Sequence, residues 1–333
     1  MNLLAVLVRL LGGLALVVAT NAYAGEKQSC LDWLKTVAFA AHQTDYTGVF
    51  VYQYDNRVET SRITHFVEAG GEYEKVESLD GPKREIIRHH GKVWNYHNHK
   101  MVQIDSHQGR GGFPSLLPSQ LTLLGSNYQA KLAGIERVAG YDAQAIVFQP
   151  RDSLRYTRKF WVHTDSGLLL KAAVLTEKNK VVEQYAFSQL QIGGKIDRSW
   201  LKRAVIPELR DKDVHHHGDI SSSSLRVHKG GIRINSGWVV DAMPVGFQKI
   251  LEIQRLMHGN HAPVIQIVFS DGFSAVSIFI EPDDGDEDDV EGLSSRGAVN
   301  IYHKVVYGHL ITVVGEVPPR TVMRVFDSVR HNG

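Results

Sequence analysis

The stretch VIQIVFSDGFSAVSIFIEP, residues 264–282, limits the fold more than any other part of this 333-residue chain. Two apolar runs flank Asp271-Gly272. An Asp-Gly pair between such runs is the strongest short-range hairpin signal, because both central residues of that turn take positive φ. Folding there predicts a loop of these two residues alone, with Phe269 opposite Ser274, Ile267 opposite Val276 and Ile265 opposite Ile278. Side chains alternate along a strand, so Ile265, Ile267, Phe269, Val276, Ile278 and Ile280 share one apolar face. Gln266, Ser270 and Ser277 occupy the other. A hairpin with one such face is marginal alone and requires a covering layer.

The rest of the chain supplies more of the same chemistry. From Tyr46, short β-branched and aromatic runs follow closely: YTGVFVYQYD, VETSRITHFV, EYEKVESL, KREIIRHH, KVWNYHN and MVQIDS. Turn residues such as Asp55-Asn56, Gly70-Gly71 and Asp80-Gly81-Pro82 separate them, which predicts an antiparallel meander. FPSLLPSQLTLL, residues 113–124, predicts one or two short helices split at Pro118. After Gly140 the meander resumes with AQAIVFQP, RKFWVHTD, LLLKAAVLTE and VVEQYAFSQL. Many strands with few helices predict a curved sheet with helices on one side. Val49, Val51, Phe160, Leu169 and Tyr185 are the candidates to line its apolar interior, whether that interior is filled or hollow.

Composition divides the chain. RDKDVHHHGDISSSS, residues 210–224, is almost free of apolar residues and reads as a flexible tether. A second segment begins near Ile232. Trp238-Val239-Val240 predicts a strand, residues 247–257 fit strand or helix, and the hairpin follows. EPDDGDEDDVEGLSS reads as a solvated acidic loop. Its Asp284, Asp286 and Asp288 have calcium-loop spacing, but Asp289 stands at the glycine position and Ser295 at the bidentate acid. GAVNIYHKVVYG and HLITVVGEV predict two more strands. Beyond Pro318-Pro319, the spacing of Val322, Val325, Phe326 and Val329 predicts a terminal helix across the sheet. The whole is mainly β with an α+β second domain.

The N-terminus sets the compartment. Arg9, the apolar core of residues 10–18 and the Ala22-Tyr23-Ala24 site form a secretory signal peptide cut after Ala24. The predicted organisation is therefore signal peptide 1–24, curved-sheet domain 25–209, tether 210–231 and second domain 232–330, with the mature chain exported. Ser29 starts a helix whose apolar face is Cys30, Leu34, Val37, Ala38 and Ala41, ending near Asp45. Cys30 is the sole cysteine, so no disulfide staples the chain, and it reads as a small apolar helix residue.

Net charge is +1 and the basic residues are scattered, which argues against nucleic acid or an anionic membrane surface as partner. The chain holds 17 histidines. His215, His216 and His217 read as solvated tether, and His97 and His99, on one strand face, as structural polar residues, so no metal is expected. The G-x-S-x-G elbow, H-E-x-x-H, the phosphate-binding loop and the dinucleotide fingerprint are all absent, and neither an enzyme nor a cofactor is indicated.

Seven segments carry a resemblance: residues 46–65, 78–88, 136–146, 150–171, 269–282, 296–300 and 312–322. Together they resemble the RseB/MucB family of periplasmic regulators of the envelope-stress sigma factor. Tyr141, where the family usually has arginine, the acidic loop and the histidine-rich tether depart from it. The resemblance implies a lipoprotein-carrier-like half-open barrel followed by a smaller docking domain. It implies binding to the periplasmic domain of a transmembrane anti-sigma factor, shielding of that tail from the site-1 protease, and release on lipopolysaccharide or lipoprotein acyl chains. It places partner-binding candidates at Phe269, Asp271, Phe273, Glu316 and Pro318, and allows a homo-oligomer. A periplasmic lipid or lipoprotein carrier is the alternative, and the second domain counts against it.

Overall fold

The computed structural model describes residues 33–69, 71–89, 92–97, 100–105, 112–117, 124–203, 231–256, 262–283, 285 and 291–332. The signal peptide, Ser29, Cys30, the tether with its three histidines, His99 and the calcium-like aspartates lie outside them.

Eleven strands form the first sheet. They are β1 (Tyr46–Tyr54), β2 (Arg57–Glu68), β3 (Gly71–Ser78), β4 (Arg84–His89), β5 (Lys92–His97), β6 (Lys100–Asp105), β7 (Tyr128–Val138), β8 (Tyr141–Pro150), β9 (Thr157–His163), β10 (Leu169–Leu175) and β11 (Val181–Ile192). Their order is β6-β5-β4-β3-β2-β1-β11-β10-β9-β8-β7, every neighbouring pair is antiparallel, and β6 and β7 are not paired with each other, so the sheet stays open. Two meanders are joined through the pairing of β1 with β11.

Helix α1, residues 33–43, lays Leu34, Val37 and Ala41 on this sheet against Tyr46, Phe50, Ile63, Phe160, Leu169 and Phe187. Phe66, Tyr73, Ile87 and Trp94 turn to the other face. There Trp200, from the short helix α3 (Trp200–Arg203), covers them.

The second unit is built on a seven-stranded antiparallel sheet, β12-β14-β15-β16-β19-β18-β17. Its strands are β12 (Ile232–Arg233), β14 (Gln248–Arg255), β15 (Val264–Ser270), β16 (Ala275–Pro282), β17 (Gly292–Arg296), β18 (Val299–Val306) and β19 (His309–Gly315). A two-stranded ribbon pairs β13 (Trp238–Val240) with β20 (Val329–His331). Helix α4 (Pro319–Phe326) starts on a proline, which lacks the N–H that a first turn would leave orphaned. It buries Val322, Val325 and Phe326 against Ile278, Ile311 and Val313.

Several expectations are corrected. The hairpin pairs Ile265 with Ile280, Ile267 with Ile278 and Phe269 with Val276, two residues out from the expected register. The loop is longer because the Asp271 carboxylate Oδ1 accepts the N–H groups of Phe273 (3.0 Å) and Ser274 (2.7 Å), and only Gly272 takes positive φ, at 100°. A slip of two residues leaves each side chain on its face, so the predicted apolar face survives. Residues 113–117 form a turn rather than a helix, and the helix nearby is the four-residue α2 (Leu124–Asn127). Strand β7 was not expected: it is an edge strand, exposed along most of its length, and lacks apolar alternation. Strand β17, on the opposite sheet's edge, is missed for the same reason. Residues 248–255 resolve to strand, and Val329 leaves the terminal helix to pair in β20.

Candidate partner interface at the junction of the two sheets

The residues with the most unusual surroundings meet where the second sheet touches the first. The turn between β15 and β16 carries Asp271, fully buried, and Phe273, 3% exposed. With Oδ1 held by its own turn, Asp271 Oδ2 accepts from Arg155 Nε at 2.6 Å and from the Tyr128 hydroxyl at 3.1 Å. Burial, reinforced by the Asp271 charge, pushes the Tyr128 phenol up, which keeps it a neutral donor.

Arg155 lies in the β8–β9 connection and is itself buried. Its remaining nitrogens donate to Asp152 and to the Val245 carbonyl, and its guanidinium sits 4.9 Å from the Phe247 ring. The pair is thus charged, dry and fully hydrogen-bonded, the only form in which buried charges persist. Losing one partner would strand the other, at about 3–5 kcal/mol.

Phe273 points away from its own sheet. Its ring lies edge-on to Tyr128 (5.1 Å), Phe148 (5.1 Å) and Phe160 (5.7 Å), and the Arg158 guanidinium lies 5.7 Å from it. Among the described residues it is the one member of the first core supplied by the second unit. Burying such a ring contributes about 1.5–3 kcal/mol. Arg158 also reaches Ser274 Oγ (3.3 Å) and Glu316 (3.2 Å). Burial works against its charge, but Glu316, Tyr128, Glu183 and Asp271 together outweigh that and raise its pKa.

A second turn, between β17 and β18, docks beside β1. Gly297 N–H donates to Asp55 (3.3 Å), Ala298 N–H to Glu183 (3.0 Å), and Arg296 to the Tyr54 hydroxyl (3.0 Å). Gly297 has φ +57°, and a Cβ there would lie 2.5 Å from Glu183 Oε2, so the turn needs glycine. Asn300 donates to Tyr156 (3.1 Å) and to the Val317 carbonyl (2.7 Å). Thr321 donates to the Leu154 carbonyl at 2.9 Å. Between these contacts lies a cavity of about 450 Å³, walled by Tyr156, Thr176, Lys178 and Lys180 on one side and by Pro318, Pro319 and Arg320 on the other.

The junction gathers three of the predicted partner residues, Asp271, Phe273 and Glu316, and Pro318 forms the neighbouring cavity wall. Phe269, half-buried, packs instead on the second core. Of the interior candidates, Phe160 and Leu169 are buried in the first core, and Phe160 touches Phe273. Tyr185 is half-buried and stacks on Tyr52 (4.2 Å) and Phe113 (5.6 Å). Val49 and Val51 alternate with Phe50 and are half-buried on the opposite face, away from that cluster. Tyr128, Arg155 and Arg158 were not anticipated. An arginine in the β8–β9 connection and another at the start of β9 look solvent-bound until the opposing carboxylates are seen. Among the described residues no group of three or more His, Cys, Asp or Glu is placed to hold a metal ion.

Two consecutive family models cover this architecture: the MucB/RseB N-terminal domain over residues 29–205 and the MucB/RseB C-terminal domain over residues 233–330. The chain belongs to the MucB/RseB family. It is 30% identical over 329 residues to the sigma factor AlgU regulatory protein MucB of Pseudomonas aeruginosa, covering 97% of this chain and 96% of that protein. It is 25% identical to the sigma-E factor regulatory protein RseB of Haemophilus influenzae, over 95% of this chain and 96% of that one. The solved complex of P. aeruginosa MucA and MucB superposes with a TM-score of 0.69 at 27% identity, over 92% of this chain and 99% of that one. A crystal structure of MucB superposes with a TM-score of 0.60 over 92% and 98%. The MucB/RseB relatives are regulatory proteins by name, and both halves of this chain, tips included, lie within the matched span.

Proposed function

We propose that this chain is a negative regulator of an envelope-stress sigma factor, acting in the periplasm after loss of residues 1–24. It binds the periplasmic domain of a membrane anti-sigma protein, shields that tail from the site-1 protease, and lets go when lipopolysaccharide or lipoprotein acyl chains arrive. The observation that carries this reading is end-to-end similarity to MucB, including MucB in complex with the periplasmic part of MucA.

The geometry supports binding rather than catalysis. The polar groups at the junction, Arg158 Nε excepted, are already paired with each other, and the charged pair at its centre is closed to solvent. No helix among the described residues is long and apolar enough to cross a membrane. A tail that orders only on binding loses affinity to that ordering, so the complex is readily reversed by a competitor. In this reading residues 210–231 are the tether that lets the halves part without separating.

The test is titration of the mature chain with the purified periplasmic segment of the host's membrane anti-sigma protein. Saturable binding, weakened by added lipopolysaccharide, is expected. No binding, or binding indifferent to lipopolysaccharide, contradicts the corresponding half of the proposal.

A further inference from the structure

The geometry points to Phe273 as a built-in competitor for the apolar interior of the first sheet. With the turn docked, its ring fills one end of that interior, and an aliphatic chain reaching the Phe148–Phe160 wall cannot share the space. This rests on the reading of the first sheet as an acyl-chain site.

Three observations carry it. Phe273 leaves its own sheet's core, where its strand neighbours Val276 and Ile278 lie, and enters the first core. The wall it meets is aromatic on three sides, from Tyr128, Phe148 and Phe160, and continuous with the buried cluster of Phe50, Phe113 and Leu169. The turn is fixed by a charged pair, Arg155–Asp271, instead of more apolar packing.

That last choice decides between a latch and a permanent joint. An apolar joint gains nothing from water when it opens. A buried ion pair close to break-even against its own desolvation regains hydration on both charges when the turn withdraws. The pair therefore specifies where the turn docks while keeping withdrawal accessible. An acyl chain entering the interior takes over the apolar contacts of Phe273, the turn leaves, and the junction between the halves loosens. Ligand and docked turn then exclude each other, and apparent ligand affinity scales with the undocked fraction.

The experiment uses the mature chain with palmitate as probe, comparing wild type with Phe273→Ala, Phe273→Leu and Asp271→Asn, each checked for a single cooperative melt. Phe273→Ala and Asp271→Asn are expected to bind palmitate about tenfold tighter or more, with Phe273→Leu close to wild type. Palmitate should enlarge the radius of gyration of the wild type by small-angle scattering and leave that of Phe273→Ala unchanged. Measurable palmitate binding of equal strength in wild type, Phe273→Ala and Asp271→Asn overturns the inference and leaves the acyl-site reading intact. Palmitate bound by none of the four chains overturns both. Where Phe273→Ala melts without cooperativity, Asp271→Asn decides alone.

Discussion

The second sheet grips the first with two turns, and they work by different physics. The turn at residues 271–274 buries a charge and an aromatic ring in the first core. The turn at residues 296–299 buries Gly297 and Ala298 but no charge: their N–H groups donate to Asp55 and Glu183, and the exposed Arg296 donates to Tyr54. The Arg296 side chain is 67% exposed, against 1% for Arg155. In the first turn desolvation makes a full ion pair dependent on its partner, whereas in the second only backbone N–H groups are buried, and water can replace the bond of the exposed Arg296. Strength and sensitivity therefore concentrate in the first, and the second supplies alignment.

Changes at the two turns should separate them sharply. Asp271→Ala strands Arg155 and removes the carboxylate that closes the loop, so a loss of about 3–5 kcal/mol is expected in urea unfolding of the whole chain. A loss below about 1 kcal/mol would mean that water reaches the pair and the contrast is false. Gly297→Ala, which forces a Cβ into a left-handed position against Glu183, is expected to lose about 1–3 kcal/mol, read as earlier hydrogen exchange in β17 and β18. Arg296→Ala removes an exposed contact to Tyr54 and Glu59 and should lose under about 1 kcal/mol, less still at high salt.

A clamp inside the first half gives the smallest effect and a pH signature. Glu72 accepts from His42 on α1 (2.9 Å) and meets buried His65 on β2 (3.0 Å). Burial alone would raise the Glu72 carboxyl, but the bonds to His42 and His65 outweigh it and hold its pKa at about 2, below the ordinary 4.5. The hydrogen bond to Glu72 raises His42 above its ordinary 6.5. The depressed acid stabilises above 4.5 and loses that contribution as pH falls toward 2. The raised His42 stabilises below 6.5 and loses that contribution as pH rises through its folded value. The clamp on α1 is therefore strongest between these limits. Both groups are substantially exposed, so solvent screening keeps the effect under about 1 kcal/mol. Glu72→Gln should flatten the dependence of the melting temperature on pH, and an unchanged curve would assign the slope elsewhere.

How much of this was legible beforehand depends on the range of the interaction. The β1–β2 turn at Asp55-Asn56, the apolar face of Ile267, Ile278 and Ile280, and most strands followed from local alternation and turn chemistry. Edge strands β7 and β17 did not, since an edge facing water carries no apolar pattern to read. Asp271-Gly272 announced a turn but not its length. Glycine alone took the left-handed conformation, and the aspartate side chain went to its own backbone. The resemblance drew attention to Asp271, Phe273 and Glu316, yet the arginines facing them stayed unassigned.

Read as a string, the chain already showed its β-rich class, its alternating faces and its family, because these rest on neighbours along the chain or on overall similarity. It took the folded chain to show that Phe273 enters the other unit's core and that Arg155 finds Asp271 in the dry. Those partners lie 116 residues apart, and whether a charge is buried depends on what packs over it, which local pattern does not encode.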